Sequence, residues 1–213
     1  VTLTNWNRLT ERVESMCNPN LLINTDFRNP VNQRGQSEYT GTGYCIDMWK
    51  IYFADCSVSL ESDSILLKQD RERQARIMQI VENAGALSGK ICTFSVLAKG
   101  DGTNTPKISV QNGNEDLFLY AATQADEYEL ITKTFTVPND ITELRIIIYA
   151  STNNTIPAKI YIKSAKLELG SFSTLANEVV DYATELRKCQ RYLQVYAGEV
   201  GSAIKSFGAN DEW

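Results

Sequence analysis

The stretch that decides the fold closes a long region of alternating sequence and reads KIYIKSAKLEL over residues 159–169. Ile160 and Ile162 place apolar side chains at even positions, whereas Ala165 and Leu167 place them at odd positions. Alternation with a period of two is typical of a β-strand that buries one face. The change of parity requires one extra residue, so we predict a β-bulge between Ile162 and Ala165 in a curved antiparallel sheet.

The same alternation extends back to residue 20, with clusters of turn-forming residues between the apolar runs. A series of strands without intervening helices is typical of a β-sandwich or barrel, so we predict that residues 19–175 form an antiparallel β-sandwich. The residues expected in its core are Trp49, Phe94, Ile146, Ile148 and Leu167. The predicted strands are Leu21–Phe27, Tyr44–Tyr52, Val58–Lys68, Ala75–Glu82, Lys90–Ala98, Lys107–Val110, Leu117–Ala122, Tyr128–Val137, Glu143–Ala150 and Lys159–Leu169.

A helix is predicted before the sandwich, over residues 1–18, because apolar residues recur there at helical spacing among charged ones. A helix this short is not stable alone in water, so its apolar stripe must be covered. The stripe either packs on its own domain or forms a short coiled coil with other copies of the chain. Its members are Leu3, Trp6, Leu9, Val13 and Met16.

A second helix is predicted after the sandwich, in the segment 176–213. Asp181 is its candidate N-cap, because a short acidic side chain can accept a hydrogen bond from the first free N–H groups of a helix. The residues from Val195 to Trp213 are too few for a domain, and we expect them to begin a further, incomplete element. The apolar stripe of this helix is Tyr182, Leu186, Cys189 and Leu193.

The composition excludes several classes of function. The 213 residues include no histidine, which removes Ser-His-Asp catalysis, Cys-His catalysis and histidine-ligated metals. The absence of histidine does not exclude catalysis by two carboxylates, as in glycoside hydrolysis, but the sequence singles out no such pair. The net charge of −5 argues against nucleic-acid binding, and no apolar run approaches the roughly 20 residues of a membrane span. We predict a protein that is not an enzyme.

The five cysteines include no C-x-x-C pair, and several lie within apolar runs, where cysteine packs as a small hydrophobe. A protein that folds in a reducing cytosol accounts for them most simply.

Several motifs, in the expected order, resemble those of carbohydrate-binding jelly rolls carried by phage and prophage tail proteins. NLLINTDF at residues 20–27 is similar to an opening strand that reads NLLxNGDF, and ELRKCQRY at 185–192 matches the run that follows the module. Two departures are Thr25 in place of glycine and Met48 in place of an arginine that would pair with Asp47. The other matching segments are QRG at 33–35, YCIDMW at 44–49, QIVEN at 79–83, LSGKICTFS at 87–95 and AKLELG at 165–170.

This resemblance implies a jelly-roll sandwich in a tail fibre or receptor-binding protein that recognises glycans of the bacterial surface. It implies a virion protein assembled in the bacterial cytoplasm, with other tail proteins as partners, and a homotrimer arranged through the first helix. It also implies a structural calcium ion near the first and last strands, with Asp26 and Glu168 as candidate ligands. Two alternatives remain: a purely structural tail module, and a binding module detached from a glycoside hydrolase.

Candidate glycan contacts are aromatic residues whose position in a strand opposes its apolar face, because pyranose rings stack on exposed aromatic side chains. Tyr149, with Arg145, lies opposite Ile146 and Ile148. The other candidates are Tyr161, which lies opposite Ile160 and Ile162, and Tyr120, which lies beside Leu119. Gln33 and Arg34 are expected to bond to loop carbonyls instead.

Overall fold

The computed structural model describes residues 17–52, 55–70, 75–123, 126–150, 156–196 and 203–206. Within these residues the chain forms two six-stranded antiparallel sheets, one α-helix and a two-stranded hairpin. The strands are β1 Glu38–Thr40, β2 Gly43–Tyr44, β3 Lys50–Ile51, β4 Cys56–Leu60, β5 Ile65–Gln69, β6 Arg76–Ile80, β7 Ile91–Lys99, β8 Lys107–Asn112, β9 Glu115–Ala121, β10 Glu129–Thr136, β11 Leu144–Tyr149, β12 Ala158–Leu169, β13 Leu193–Tyr196 and β14 Ala203–Ser206.

The two large sheets pack face to face as a sandwich. Sheet A has the strand order β1-β4-β5-β12-β7-β10, and sheet B has the order β2-β3-β6-β11-β8-β9. Alternate side chains of both sheets point inward and form one core, as the period of two predicts. The five predicted core residues are all fully buried, and the prediction of a mainly β sandwich is confirmed.

The predicted bulge lies in β12. Along its pairing with β7 the register shifts between Ile162 and Ser164, while Ile162 and Ala165 on either side both point into the core. At the bulge, β12 also bonds to the segment that opens the sandwich. There the Phe27 N–H donates to the Lys163 carbonyl at 2.9 Å, and the Ala165 N–H donates to the Thr25 carbonyl at 3.1 Å.

The predicted first strand, Leu21–Phe27, runs beside β12 without forming a regular strand. Asn24 interrupts it with a left-handed backbone, at φ 58°, and only Asp26 forms a β-bridge, with Ser164. Asparagine tolerates this conformation, and here its side-chain amide is fixed by hydrogen bonds to two backbone carbonyls. Alternation alone does not reveal such an interruption.

Two other predicted strands are each a pair of strands joined by a turn. Tyr44–Tyr52 contains the last residue of β2 and all of β3, joined by a turn in which the Cys45 N–H donates to the Trp49 carbonyl at 3.0 Å. Val58–Lys68 contains the last three residues of β4 and most of β5, joined by the polar turn at residues 61–64. The strand β1 was not predicted, because three residues are too few to show a period.

The second helix is confirmed over part of its predicted length and is named α1, Tyr182–Cys189. Asp181 caps it as predicted, accepting the Thr184 N–H at 2.9 Å. Leu193 does not continue the helix but begins β13, which pairs with β14. Short 3-10 helices also occur at Ala84–Leu87 and Leu175–Asn177.

The first predicted helix falls outside the described residues except at its last two positions. The stripe at Leu3, Trp6, Leu9, Val13 and Met16 therefore stays a prediction. In the part of the chain that is described, no helix has the length and apolar character needed to cross a membrane.

Candidate functional site

The face of sheet B that points away from the core carries an unusual set of buried side chains. Met78 in β6 pairs with Ile147 in β11, and Arg76 pairs with Tyr149. Met78, Ile147 and Tyr149 are only 7%, 1% and 4% exposed and form a cluster separate from the main core. Longer side chains around this cluster cover it and leave a cleft. We call this surface the cleft face.

The cleft has a volume of about 140 Å³, and its lining is mostly polar around an apolar floor. That combination suits a sugar, which has apolar ring faces and many hydroxyl groups. The volume suits one unit of a longer chain passing over the surface rather than an enclosed molecule. The lining residues are Tyr52, Arg76, Met78, Gln111, Asn114, Arg145 and Ile147.

An aromatic wall stands on one side of the cleft. Tyr52 directly follows β3, and 38% of its surface is exposed. The Arg76 guanidinium lies 4.2 Å from the centroid of the Tyr52 ring and 5.7 Å from that of Tyr149. These cation–π contacts hold the long arginine side chain against the wall and limit its freedom. The cleft thus combines an accessible ring with a positioned positive charge.

The opposite side of the cleft carries donors and acceptors for hydroxyl groups. Arg145 forms an ion pair with Glu143, and its Nη1 donates to Asn114 Oδ1 at 2.7 Å. Nearby, Gln111 Nε2 donates to Asp116 Oδ1 at 2.9 Å. Contacts between side chains on neighbouring strands preorganise the groups, so a ligand does not have to order them.

The four predicted glycan contacts do not converge on one surface. Arg145 lines the cleft, and Tyr149 is on the same face but is too buried to offer its ring as a platform. Tyr161 lies on the outward face of sheet A, where Lys99 Nζ is 5.1 Å from its ring centroid. Tyr120 pairs with Ile108 and so shares the inward side of sheet B, at its edge.

Sequence reasoning missed six of the seven lining residues, all except Arg145. The sequence did contain a signal for Tyr52. Trp49 and Ile51 point inward, so alternation along the strand directs the side chain at position 52 outward. Arg76 and Gln111 required knowledge that β6, β11 and β8 are neighbours, which the local pattern does not contain.

Part of the outward face of sheet A, around Lys166 and Glu168, is covered, and we call this part the sealed face; next to it lies a pocket of about 220 Å³ whose lining includes Leu97 and Leu130. The sealed face is crossed by the segment after β12, which covers Lys166 and Glu168, both fully buried. Lys166 forms an ion pair with Glu178. Thr174 donates to Glu168 through its N–H at 2.7 Å and through its hydroxyl at 2.5 Å. Both buried charges therefore have partners within the fold.

The ionisation of Lys166 reflects those partners. Burial acts to lower the pKa of the ammonium, but its hydrogen bonds to Glu178 and Cys17 act in the opposite direction. The net effect is a pKa above the ordinary lysine value, so the charged form belongs to the folded state.

The two candidate calcium ligands are not brought together. Asp26 bridges to Ser164, four residues before Glu168, which corresponds to about 13 Å along an extended strand. Asp26 accepts a hydrogen bond from Arg28 Nε at 2.6 Å, and both oxygens of Glu168 are bonded to Thr174. Among the described residues, no group of three or more acidic, cysteine or histidine side chains could hold a metal ion. Calcium binding stays a prediction, which calorimetric titration tests.

A buried polar junction ties the sandwich to α1 and to β13. The Asn24 N–H donates to Glu185 Oε2 at 2.7 Å, and Gln33 Nε2 donates to the Leu193 carbonyl at 2.8 Å. Gln33 and Arg34 also bind Asp47, with an Arg34–Asp47 ion pair of 3.1 Å. Burial raises the pKa of Asp47, although these two side chains act against the shift.

Met48 stands where the resembling motif has an arginine that would pair with Asp47. In this chain Arg34 supplies that positive charge instead. Gln33 and Arg34 both have structural contacts, but not the expected loop carbonyls: Gln33 donates to the carbonyl of Leu193 in β13, and Arg34 donates to the Asp47 carboxylate.

Comparisons with known proteins give similarity to solved structures only. No protein-family model and no curated protein matches the chain. It is similar to the carbohydrate-binding module CBM4, at 18% identity and a TM-score of 0.48, over 69% of this chain and 98% of that one. It is similar to the C-terminal family 22 carbohydrate-binding module of Clostridium thermocellum Xyn10B, at 13% identity and a TM-score of 0.47, over 74% and 99% of the two chains.

A third similar structure is the enzymatically active domain of tailspike protein 4 from bacteriophage CBA120. The identity is 16% and the TM-score 0.43, over 71% of this chain and 21% of that one. Identities in this range assign no residue roles, so the roles of the cleft residues rest on their own geometry.

Proposed function

We propose that this protein binds a polysaccharide of the bacterial surface through the cleft face. The observation that carries the proposal is the pairing of an exposed ring, Tyr52, with positioned hydrogen-bonding groups around an apolar floor. A sugar ring would stack on the part of the Tyr52 ring that Arg76 leaves uncovered, while Arg145 and Asn114 would bond to its hydroxyl groups. This is the composition of a site that binds an amphipathic ligand by its surface.

The proposed setting is the virion, in a phage tail fibre or receptor-binding protein assembled in the bacterial cytoplasm. The ordered motifs between residues 20 and 192 support it, including ELRKCQRY, which begins within α1. Other tail proteins would be partners, and a homotrimer arranged through residues 1–18 would increase avidity for a repeating polymer. Light scattering of the intact chain measures the number of copies.

We propose binding without turnover. The sequence has no histidine, and the carboxylates near the cleft are engaged, Glu143 with Arg145 and Asp116 with Gln111. Release of reducing ends from a bound polysaccharide would contradict this part of the proposal. Two alternatives share the fold, a purely structural tail module and a binding module detached from a glycoside hydrolase.

The test is binding of the full chain to an array of purified bacterial surface polysaccharides. Tyr52→Ala should weaken binding about tenfold, because the loss of one aromatic contact is worth about 1.4 kcal/mol. Tyr161→Ala is the matched control, since it removes a tyrosine from the opposite outward face, and it should leave binding unchanged. Absence of binding to every polysaccharide would favour the structural module, and loss of binding in Tyr161→Ala alone would move the site to sheet A.

A further inference from the structure

We infer that the ligand of the cleft face is an acidic polysaccharide, with an anionic sugar substituent bound between Arg76 and Lys107. This inference rests on the proposed function and specifies its substrate class. The anion would be a uronic acid carboxylate or a phosphodiester, because arginine and lysine bind both.

The charge of the cleft face is opposite to that of the chain. The chain has a net charge of −5, yet four neighbouring strands of sheet B each direct one cation to this face. Two carboxylates beside them, Asp116 and Glu143, are already bonded to neighbouring side chains. The four cations are Lys50, Arg76, Lys107 and Arg145.

Two of these cations have no partner to neutralise them. Within the part of the chain that the structure describes, Lys50 and Lys107 make no ion pair or hydrogen bond through their ammonium groups. Lys107 is nevertheless only partly exposed, and this burial lowers the pKa of its ammonium. A half-buried, unneutralised charge is costly, and a bound anion would relieve the cost.

The register places an anion site across a single row of the sheet. Arg76, Tyr149 and Lys107 are direct cross-strand partners on β6, β11 and β8. The outer two are therefore about 10 Å apart at their Cα atoms, a span that two long side chains can close around one anionic group. Tyr149 lies beneath as an apolar base, and the Tyr52 ring stands next to Arg76. A sugar ring on Tyr52 would thus direct its acidic substituent toward Lys107.

The experiment uses the full chain and a panel of bacterial polysaccharides that contain uronic acids, phosphodiesters or neutral sugars only. Each uronic acid polymer is also tested after reduction of its carboxyl groups to alcohols, which removes the charge and keeps the backbone. We expect acidic polymers to bind and carboxyl reduction to weaken the binding at least tenfold. Retained binding of phosphodiester polymers alone would identify phosphate as the anion.

The matched variants are Lys107→Gln and Lys159→Gln. Both remove one lysine charge from an outward face, but Lys159 lies on sheet A, paired with Lys68. Lys107→Gln should weaken binding at least fivefold and Lys159→Gln less than twofold, with unchanged urea midpoints. Binding should also weaken as pH rises through the lowered pKa of Lys107, because the ammonium is then lost.

The outcomes separate this inference from the proposed function. Equal binding of native and carboxyl-reduced polymers, with no effect of Lys107→Gln, would overturn the acidic ligand and leave glycan binding intact. Binding of poly-glutamate as tight as that of the best polysaccharide would overturn sugar recognition and leave a polyanion site. No binding to any polymer would overturn both.

Discussion

The two outward faces of the sandwich treat their polar residues in opposite ways. On the sealed face, Lys166 and Glu168 are fully buried and bonded within the chain to Glu178 and Thr174. On the cleft face, the ammonium groups of Lys50 and Lys107 make no ion pair or hydrogen bond with any described residue. Both surfaces arise from the same alternation of inward and outward side chains along the strands. If the cleft face binds a glycan as we propose, the difference teaches that a binding surface is marked by polar groups left available, rather than by the presence of aromatic or charged residues.

The largest loss of stability is expected from breaking the buried ion pair of the sealed face. Glu178→Gln removes the ion-pair partner of Lys166 and leaves a fully buried ammonium with weaker partners. Because breaking a buried pair from one side is strongly destabilising, we expect a loss of about 3 kcal/mol in the free energy of unfolding. Urea denaturation measures it.

The matched control for that prediction removes both charges. Lys166→Met combined with Glu178→Met removes the ion pair from both sides, while Glu168 keeps its two hydrogen bonds from Thr174, and most of the lost stability should return. A double variant as unstable as Glu178→Gln would mean that packing, not charge, closes this face. Polysaccharide binding should be the same in all three proteins, since the substitutions lie on the other sheet.

A smaller effect is expected beneath the cleft. Ile147→Ala removes an almost fully buried side chain from the small cluster with Met78 and Tyr149. We expect a loss of about 2 kcal/mol in stability, at the low end for a buried isoleucine, because water can fill the enlarged cleft. Lys50→Gln on the same face should change stability by less than about 0.5 kcal/mol. Equal effects of the two substitutions would show that the cleft floor is not packed.

The smallest effect is expected in how the stability of the fold changes at alkaline pH. The pKa of Lys166 is raised in the folded protein, so its ion pairs stabilise the fold fully below the pKa of an unfolded lysine. This contribution is lost as pH rises through the folded pKa. The difference in urea midpoint between the natural chain and Lys166→Met should therefore shrink at high pH. A constant difference would show that the ammonium contributes no net stability.

The sequence contains enough information for the sandwich because its strands obey a strict local period. The parity change across Ile162 and Ala165 requires a bulge in any sheet that buries both residues, and the structure has it there. The interruption at Asn24 could not be predicted in the same way. It depends on the carbonyls of Val31 and Asp47, which reach Asn24 only in the folded chain.

The site was less predictable than the fold for a related reason. Parity correctly placed Arg145 and Tyr149 on one outward face, but it does not report how deeply a residue lies within that face. Tyr149 is covered because Arg76 comes from a strand more than 60 residues earlier in the sequence. The exposure of a side chain on a sheet depends on its neighbours in adjacent strands. A single sequence shows only which residues are neighbours along the chain.

The hydrogen bond from Asn24 to Glu185 has a consequence for how such domains are exchanged between proteins. A gene fragment ending at residue 175 would encode every strand of both large sheets, yet the Asn24 N–H would lose its acceptor and Gln33 its contact with Leu193. Recombination at that boundary would therefore transfer a damaged unit. We therefore expect the shortest segment that keeps all of these contacts to extend to β13.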